Sequence, residues 1–430
     1  MGGLWRTIFG LNWFANLLTY ITVTTVILIL GPLGMMLFTW VERRGIAFMQ
    51  ERRGPNRVGP FGLLQPVSEA IKTMTKEDIT PDGADRWVHF LAPVVMMFST
   101  VMVFAVIPLG GLYPSDINVG VLFVIAVGSL HTLGMLMAGW GSNNKFALLG
   151  GMRAAAQMIS YEIPQVMSLV AIVMWVGSMS VRDVINHQTA FFGMGWHIFT
   201  PIGFLAFVVF WISSLAEGER TPFDIPEADS EIVAGYMTEY SGMKFAIFYL
   251  GQFVLNYALS MVAAIAFLGG WQGPGVGLLV ATGDGFLVFL GGALSVLYLL
   301  IKAWFLFFVM IWLRGAFPRL RVDQLMSFAW KFLLPLALVN IFSVGLWVAI
   351  MQWGSDPKWT LQLAPFGLKL LGWLETAPAW AHQLFAWLVT AIINGATYYW
   401  LLLLNGRPRG ETPVELAQDQ IFGTIGLPQR

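Results

Sequence analysis

The chain has 430 residues, 57% of them hydrophobic and only 11% charged, and its 24 basic and 24 acidic side chains leave no net charge. A soluble domain is about one quarter charged, so this composition excludes an ordinary water-soluble fold, and the neutral balance gives nucleic acid no electrostatic handle. The absence of Cys excludes disulfides, thiol catalysis and Cys-ligated iron–sulfur clusters within the chain.

Apolar runs of roughly 20 residues, rather than alternating ten-residue strands, predict an all-α polytopic membrane protein. Nineteen Trp and 33 Phe suit aromatic belts at two interfaces. Nine spans are predicted, centred on 17–40, 88–108, 119–140, 157–177, 200–217, 244–268, 287–312, 330–350 and 384–404. The first, Leu17 to Trp40, is too long for a signal sequence and reads as a retained helix, with a kink or cavity-lining position at Gly31-Pro32. The loops after spans one, three, five and seven, with the tail, hold 19 Lys/Arg, against four on the other side (Arg6, Arg182, Lys358, Lys369). That bias places the N-terminus outside and the tail in the cytoplasm, which requires an odd number of spans.

Glu42-Arg43-Arg44 closes span one, and Arg52, Arg53 and Arg57 follow among Gly54, Pro55, Gly59 and Pro60. Interfacial anchoring accounts for the arginines alone. Glu42, at the mouth of a kinked helix beside guanidinium groups, makes a paired polar entrance. Phe61, Leu64, Val67, Ile71 and Met74 then recur every three to four residues, with Lys72, Lys76, Glu77 and Asp78 on other faces. This predicts an amphipathic surface helix at the membrane, with Pro66 in its first turn. The same period fits a loop helix packed on its neighbours.

In span three, His131 reads as a hydrogen-bonded core residue, and the five histidines show no metal-ligand spacing. In span four, Arg153 and Gln157 are i, i+4 neighbours and Glu162 follows. A charge at a helix centre costs roughly 2.5–3.5 kcal/mol, so Glu162 is predicted to face protein or water. The plainer reading is an interfacial Glu near a snorkelling Arg.

Seven of the 24 acidic residues crowd into 23 positions after span five: Glu217, Glu219, Asp224, Glu227, Asp229, Glu231 and Glu239. Arg220 is the one basic residue among them. Pro222 and Pro226 oppose a continuous helix, so the carboxylates sit on a loop able to turn inward. A merely solvated acidic loop fits poorly, since the other loops on that side are basic. Clustered carboxylates cannot all ionise cheaply, which is what a proton relay needs. Lys302, in the body of span seven, needs a partner carboxylate or must lose its proton, unless it snorkels to an interface.

The run from Glu42-Arg43-Arg44 through Arg53-Gly54-Pro55-Asn56-Arg57-Val58-Gly59-Pro60-Phe61-Gly62-Leu63-Leu64-Gln65-Pro66 resembles the first loop of the H-type membrane subunit of NADH-quinone oxidoreductase, called subunit 1 of respiratory complex I in mitochondria. Glu219-Arg220-Thr221-Pro222-Phe223-Asp224-Ile225-Pro226-Glu227 through Glu231, with Glu239-Tyr240-Ser241-Gly242, is similar to its third loop. The stretches Lys145 to Glu162 and Arg314 to Leu325 agree as well, and the likeness covers about residues 17–350. Glu69 stands where many relatives carry Asp, and Glu51 interrupts the basic motif.

The resemblance implies eight family transmembrane helices within residues 1–350, supplying much of a quinone channel together with peripheral-arm subunits. It implies quinone as substrate, no cofactor on this chain, and FMN and iron–sulfur clusters in partner subunits. By position, Glu42, Arg43, Arg52, Phe61, Gln65 and Arg314 match the quinone channel. Arg153, Glu162, Glu217, Glu219, Arg220, Asp224, Glu227, Asp229 and Glu231 match a proton-coupling funnel, to which Lys302 is added. Residues 351–430, with a ninth helix, an amphipathic external stretch from Leu361 to Trp373 and a cytoplasmic tail, have no counterpart and read as an extension contacting a neighbouring subunit or lipid, or as a passive extra helix. The expected setting is the bacterial inner membrane, among other complex I subunits. Two rival readings are the membrane anchor of an energy-converting hydrogenase and a stand-alone ion transporter. The full third-loop motif disfavours the first, and the lack of paired broken helices disfavours the second.

Overall fold

The computed structural model describes residues 34, 36–109, 117–226, 232–281, 285–353 and 379–405. Every regular element longer than a turn among them is helical. Helix α1 covers 36–49 and forms the end of the first predicted span. Gly31-Pro32, the external stretch Leu361 to Trp373 and the tail lie outside the described residues. After α1 come the surface helix α2 (Gln65–Thr75), α3 (Arg86–Val103), α4 (Gly120–Gly141), α5 (Lys145–Val176), α6 (Pro201–Glu217), α7 (Gly242–Phe267) and α8 (Gly285–Ala316). Helix α9 (Val322–Phe328) then passes through a π turn (Ala329–Leu333) into α10 (Leu334–Trp353), and α11 (Ala379–Asn405) completes the set.

Among the described residues, seven helices are long and apolar enough to cross a membrane. Helix α6, at 17 residues, is the short one. It starts where Thr200 accepts the Gly203 N–H at 3.2 Å and Pro201 occupies the first turn. Asp85 and Asn144 cap α3 and α5 in the same way, while Gly177 ends α5 in the left-handed conformation that glycine adopts freely. Pro93 and Pro164 lie buried inside α3 and α5, a position that membrane-spanning helices tolerate better than soluble ones.

Helix α7 is the central post, buried along almost its whole length. The α4–α5 contact runs through small residues: a Cβ on Gly139 would meet the Ala147 carbonyl oxygen at 2.7 Å and the Gly151 Cα at 3.0 Å. Backbones approach that closely only where side chains are absent, which is how helices associate without a hydrophobic driving force. The main core joins α3, α5, α6, α7, α8 and α10 around Tyr161, Phe210, Phe267, Leu299 and Leu333.

The loops that carry most of the Lys and Arg all meet at one end of this bundle, here called the basic end. Helix α2 forms there as predicted. Its end is tied to the start of α7 by Lys244–Asp78 at 3.0 Å and by Ser241, which donates to the Glu77 carbonyl at 3.1 Å. Its apolar face is left uncovered by the described chain, with Ile71 58% and Met74 66% exposed.

Candidate functional site

Glu42 is 3% exposed near the end of α1. The sequence groups it with Arg43, Arg44 and Arg52, but the fold gives it other partners. Its Oε1 accepts from Arg220 Nη1 at 2.9 Å and from Arg314 Nη1 at the end of α8, residues 178 and 272 positions away in the chain. Arg220 is 7% exposed and lies over the Phe253 ring at 4.3 Å. An aromatic face is one of few apolar surfaces that stabilise a buried cation. Glu42 Oε2 and Arg220 Nη2 are buried without a hydrogen-bond partner among the described residues.

The loop after α6 turns inward, as its prolines suggest. Glu219 is buried with φ 50° and accepts from the Tyr236 hydroxyl at 3.0 Å and from the Gln252 amide. Gly218 passes so close to α7 that a Cβ there would come 1.8 Å from Asn256 Oδ1. Asn256 donates to the Gly218 carbonyl at 3.0 Å. From the other side, Gln157 donates to the Ala216 and Phe223 carbonyls at 2.8 and 2.7 Å. The loop backbone is thus held by amides from α5 and α7, which satisfies carbonyls that no water reaches. Asp224 is half-buried on this loop; Glu227, Asp229 and Glu231 lie outside the described residues.

Behind the loop, Glu217 and Glu162 line one cavity of about 30 Å³ with Gln165 and Gly128. That is space for a water or two. A Cβ on Gly128 would come 3.7 Å from Glu217 Oε1. Glu162 faces protein, as predicted, and Arg153 is half-buried on α5, nine residues before it. The loop thus carries two buried groups, Glu42 with Arg220 and Arg314 on one side and Glu217 with Glu162 on the other, and Glu219, which lies between them in the chain, is held by Tyr236 and Gln252.

The remaining predicted residues form a second, more exposed group. Arg43 pairs with Glu69, which also accepts from Gln65 Nε2 at 3.2 Å. The Phe61 ring is exposed, and its carbonyl accepts from Trp40 Nε1 at 3.1 Å and Arg44 Nη1 at 3.4 Å. Arg52 bonds Gln50 at 2.7 Å.

Lys302 does not join either group. Its Nζ donates to the Leu268, Gly270 and Gln272 carbonyls at 2.6, 3.0 and 2.6 Å and sits 4.7 Å from the Trp196 ring centroid, at the end of the bundle opposite the carboxylates. Its hydrogen-bond partners are carbonyls of the turn that follows α7, not a carboxylate. His131 is buried as expected, yet neither ring nitrogen makes a well-formed hydrogen bond among the described residues. Tyr236, Gln252 and Asn256 escaped the sequence reading. The signal was present, since Gln252 and Asn256 are i, i+4 polar residues inside an otherwise apolar span.

The family model for NADH dehydrogenase matches residues 21–345. The H-type subunit of NADH-quinone oxidoreductase from Dehalococcoides mccartyi strain CBDB1 is 44% identical over 331 residues, covering 77% of this chain and 86% of its own length. The second H-type subunit of NADH-quinone oxidoreductase from Syntrophobacter fumaroxidans is 43% identical over 351 residues, covering 79% of this chain and 99% of its own. The family model covers most of the chain and both relatives align over more than three quarters of it, and on that ground the chain belongs to the NADH dehydrogenase family, as a membrane protein of the H-type kind.

Proposed function

We propose that this chain forms much of the quinone channel of a proton-pumping NADH-quinone oxidoreductase and couples quinone reduction to proton translocation through its carboxylates. Quinone takes two electrons and two protons to become quinol, the electrons arriving from an iron–sulfur cluster in a peripheral-arm partner that itself draws on FMN and NADH. This chain supplies no redox centre in that scheme. Residues 1–350 serve as the family unit and 351–430 as an extension. The basic end faces the cytoplasm of a bacterial inner membrane, following the Lys/Arg bias.

The observation that carries the reading is that one clamped loop carries Arg220, bonded to Glu42, and stands next to Glu217, which shares a cavity with Glu162, with Glu219 between them in the chain. Arg43, Arg52, Phe61 and Gln65 would border the quinone, and Glu42 connects that face to the loop through Arg220 and Arg314. A change of charge at the quinone alters the field on Glu42 and its two arginines. Because Arg220 adjoins Glu219 in the chain and the loop backbone is clamped from both sides, that change is felt at Glu219, Asp224 and Glu217, where a proton can be held or released. Glu227, Asp229 and Glu231 extend the acidic loop.

The test is Asp224→Asn and Glu217→Gln in the assembled complex, reconstituted in vesicles with NADH and a soluble quinone. Fewer protons translocated per electron are expected while the complex still assembles. An unchanged ratio in both variants would reject the coupling role.

A further inference from the structure

A large cavity lies away from the carboxylates. It is a groove of about 1440 Å³ between α6, the α9–π–α10 helix and α11. Its lining runs along α10 and α9 from Leu336 to Asp323 and along α11 from Trp387 to Leu402. At 1.5 Å per residue both walls are about 20 Å long. The volume exceeds the 300–1,000 Å³ usual for small-molecule sites.

The middle of the groove is mostly hydrocarbon and aromatic, including Leu205, Phe328, Phe332 and Tyr398, with Asn394 as a polar residue among them. Its end at the start of α9 is polar, with Asp323, Gln324 and Ser327. Arg321 immediately precedes that helix and Arg319 lies two residues before it, so two cations stand next to Asp323 in the chain, while Lys331 lies about two turns further along in the π turn. The occupant must join a long apolar body to a head with an anionic group, and an ammonium would suit Asp323. Helix α11 forms the outer wall, is mostly exposed and lies beyond the matched residues 21–345.

We propose that this groove binds one glycerophospholipid of the leaflet at the basic end, with its phosphate toward Arg321 and its acyl chains between α6 and α11. Length decides for a lipid. A bilayer including headgroups is about 40–45 Å thick, so one leaflet is about 20–22 Å, the length of the groove. A spanning helix, roughly 10 Å across and 30 Å long, fills about 2,400 Å³ and would stand well outside it. The lipid seals α11 to the bundle where protein contacts do not. This reading does not depend on the quinone role and applies to whatever assembly the chain purifies in.

The experiment places a benzophenone amino acid at Ala391, which lines the groove, and irradiates the assembled complex in native membranes. A phospholipid adduct on this chain is expected; an adduct to another protein, or no adduct, overturns the proposal. Native mass spectrometry of the purified complex supplies the second readout. Ala391→Trp should lose one retained phospholipid per chain, and Arg321→Gln should weaken its retention about fivefold. Retention equal to the unmodified chain in both variants would also overturn it.

Discussion

At the scale of single residues, Glu42 is the junction of the site. Truncating it strands two arginines, Arg220 and Arg314, around an empty position, and removing one partner of a buried ion pair costs about 3–5 kcal/mol. Glu42→Ala should therefore lower stability by that order in a detergent-unfolding titration, whereas Arg52→Ala, whose side chain is exposed and bonds Gln50, should change it by less than about 0.5 kcal/mol. Gly218 makes a second test. A methyl there would overlap Asn256 Oδ1, and overpacking of this kind costs about 1–3 kcal/mol. In a double-mutant cycle, Asn256→Ala removes the clash along with its own bonds, so the double variant should be hardly less stable than Asn256→Ala alone; full additivity would refute the contact.

At the scale of elements, the end of α7 opposite the carboxylates shows how a helix terminus is sealed inside a membrane protein. The carbonyls of Ile265 and Ala266 accept from Gln188, Ala266 also faces His197 Nδ1 at 2.8 Å, and Lys302 takes those of Leu268, Gly270 and Gln272 in the turn beyond the helix. A carbonyl can only accept, so His197 carries its proton on Nδ1, and its Nε2 accepts from His187 Nδ1 at 3.0 Å. Burial holds His187 below the usual imidazole range and lowers His197 to about 4 from 6.5. The folded state thus binds fewer protons than the unfolded one, so the stability from this pair is complete above pH 6.5 and is lost as pH falls toward 4. Hydrogen exchange at Leu268 and Gly270 should accelerate across that window while amides of the loop after α6 do not, and exchange independent of pH beyond the chemical rate would contradict it.

At the scale of the whole molecule, the bundle and α11 are differently bound. Helix α7 is enclosed on nearly all sides, but α11 rests chiefly on α10, through Ser343–Asn394 at 2.8 Å and a small cluster around Trp347 and Ala386, and reaches the main core through Leu401 and the Tyr398–Phe332 ring contact. A chain ending at Trp353 should accordingly still assemble and reduce quinone at a rate within about twofold of the full chain, with loss of the groove phospholipid. Failure to assemble, seen by native electrophoresis, would show that the extension is part of the working unit.

Most of the helices were legible in the sequence because bilayer thickness dictates run length and water is excluded from their backbones. The acidic loop was legible as well, since carboxylates among apolar spans are costly enough to stand out, and so was the inward turn that Pro222 and Pro226 allow. Partnership was not legible. Glu42 sits beside Arg43 and Arg44 in the chain, yet it pairs with Arg220 and Arg314, because helix packing rather than sequence spacing decides which charges share a buried volume. The same reason separates Lys302 from the carboxylates: only the ends of folded helices reveal which carbonyls lack a donor. By itself the sequence determined a helical membrane protein with one expensive acidic segment. Only the tertiary structure decided that this segment is clamped by Gln157 and Asn256, joined to the first loop through one buried carboxylate, and set apart from a lipid-sized groove, because each of those facts depends on contacts between residues far apart in the chain.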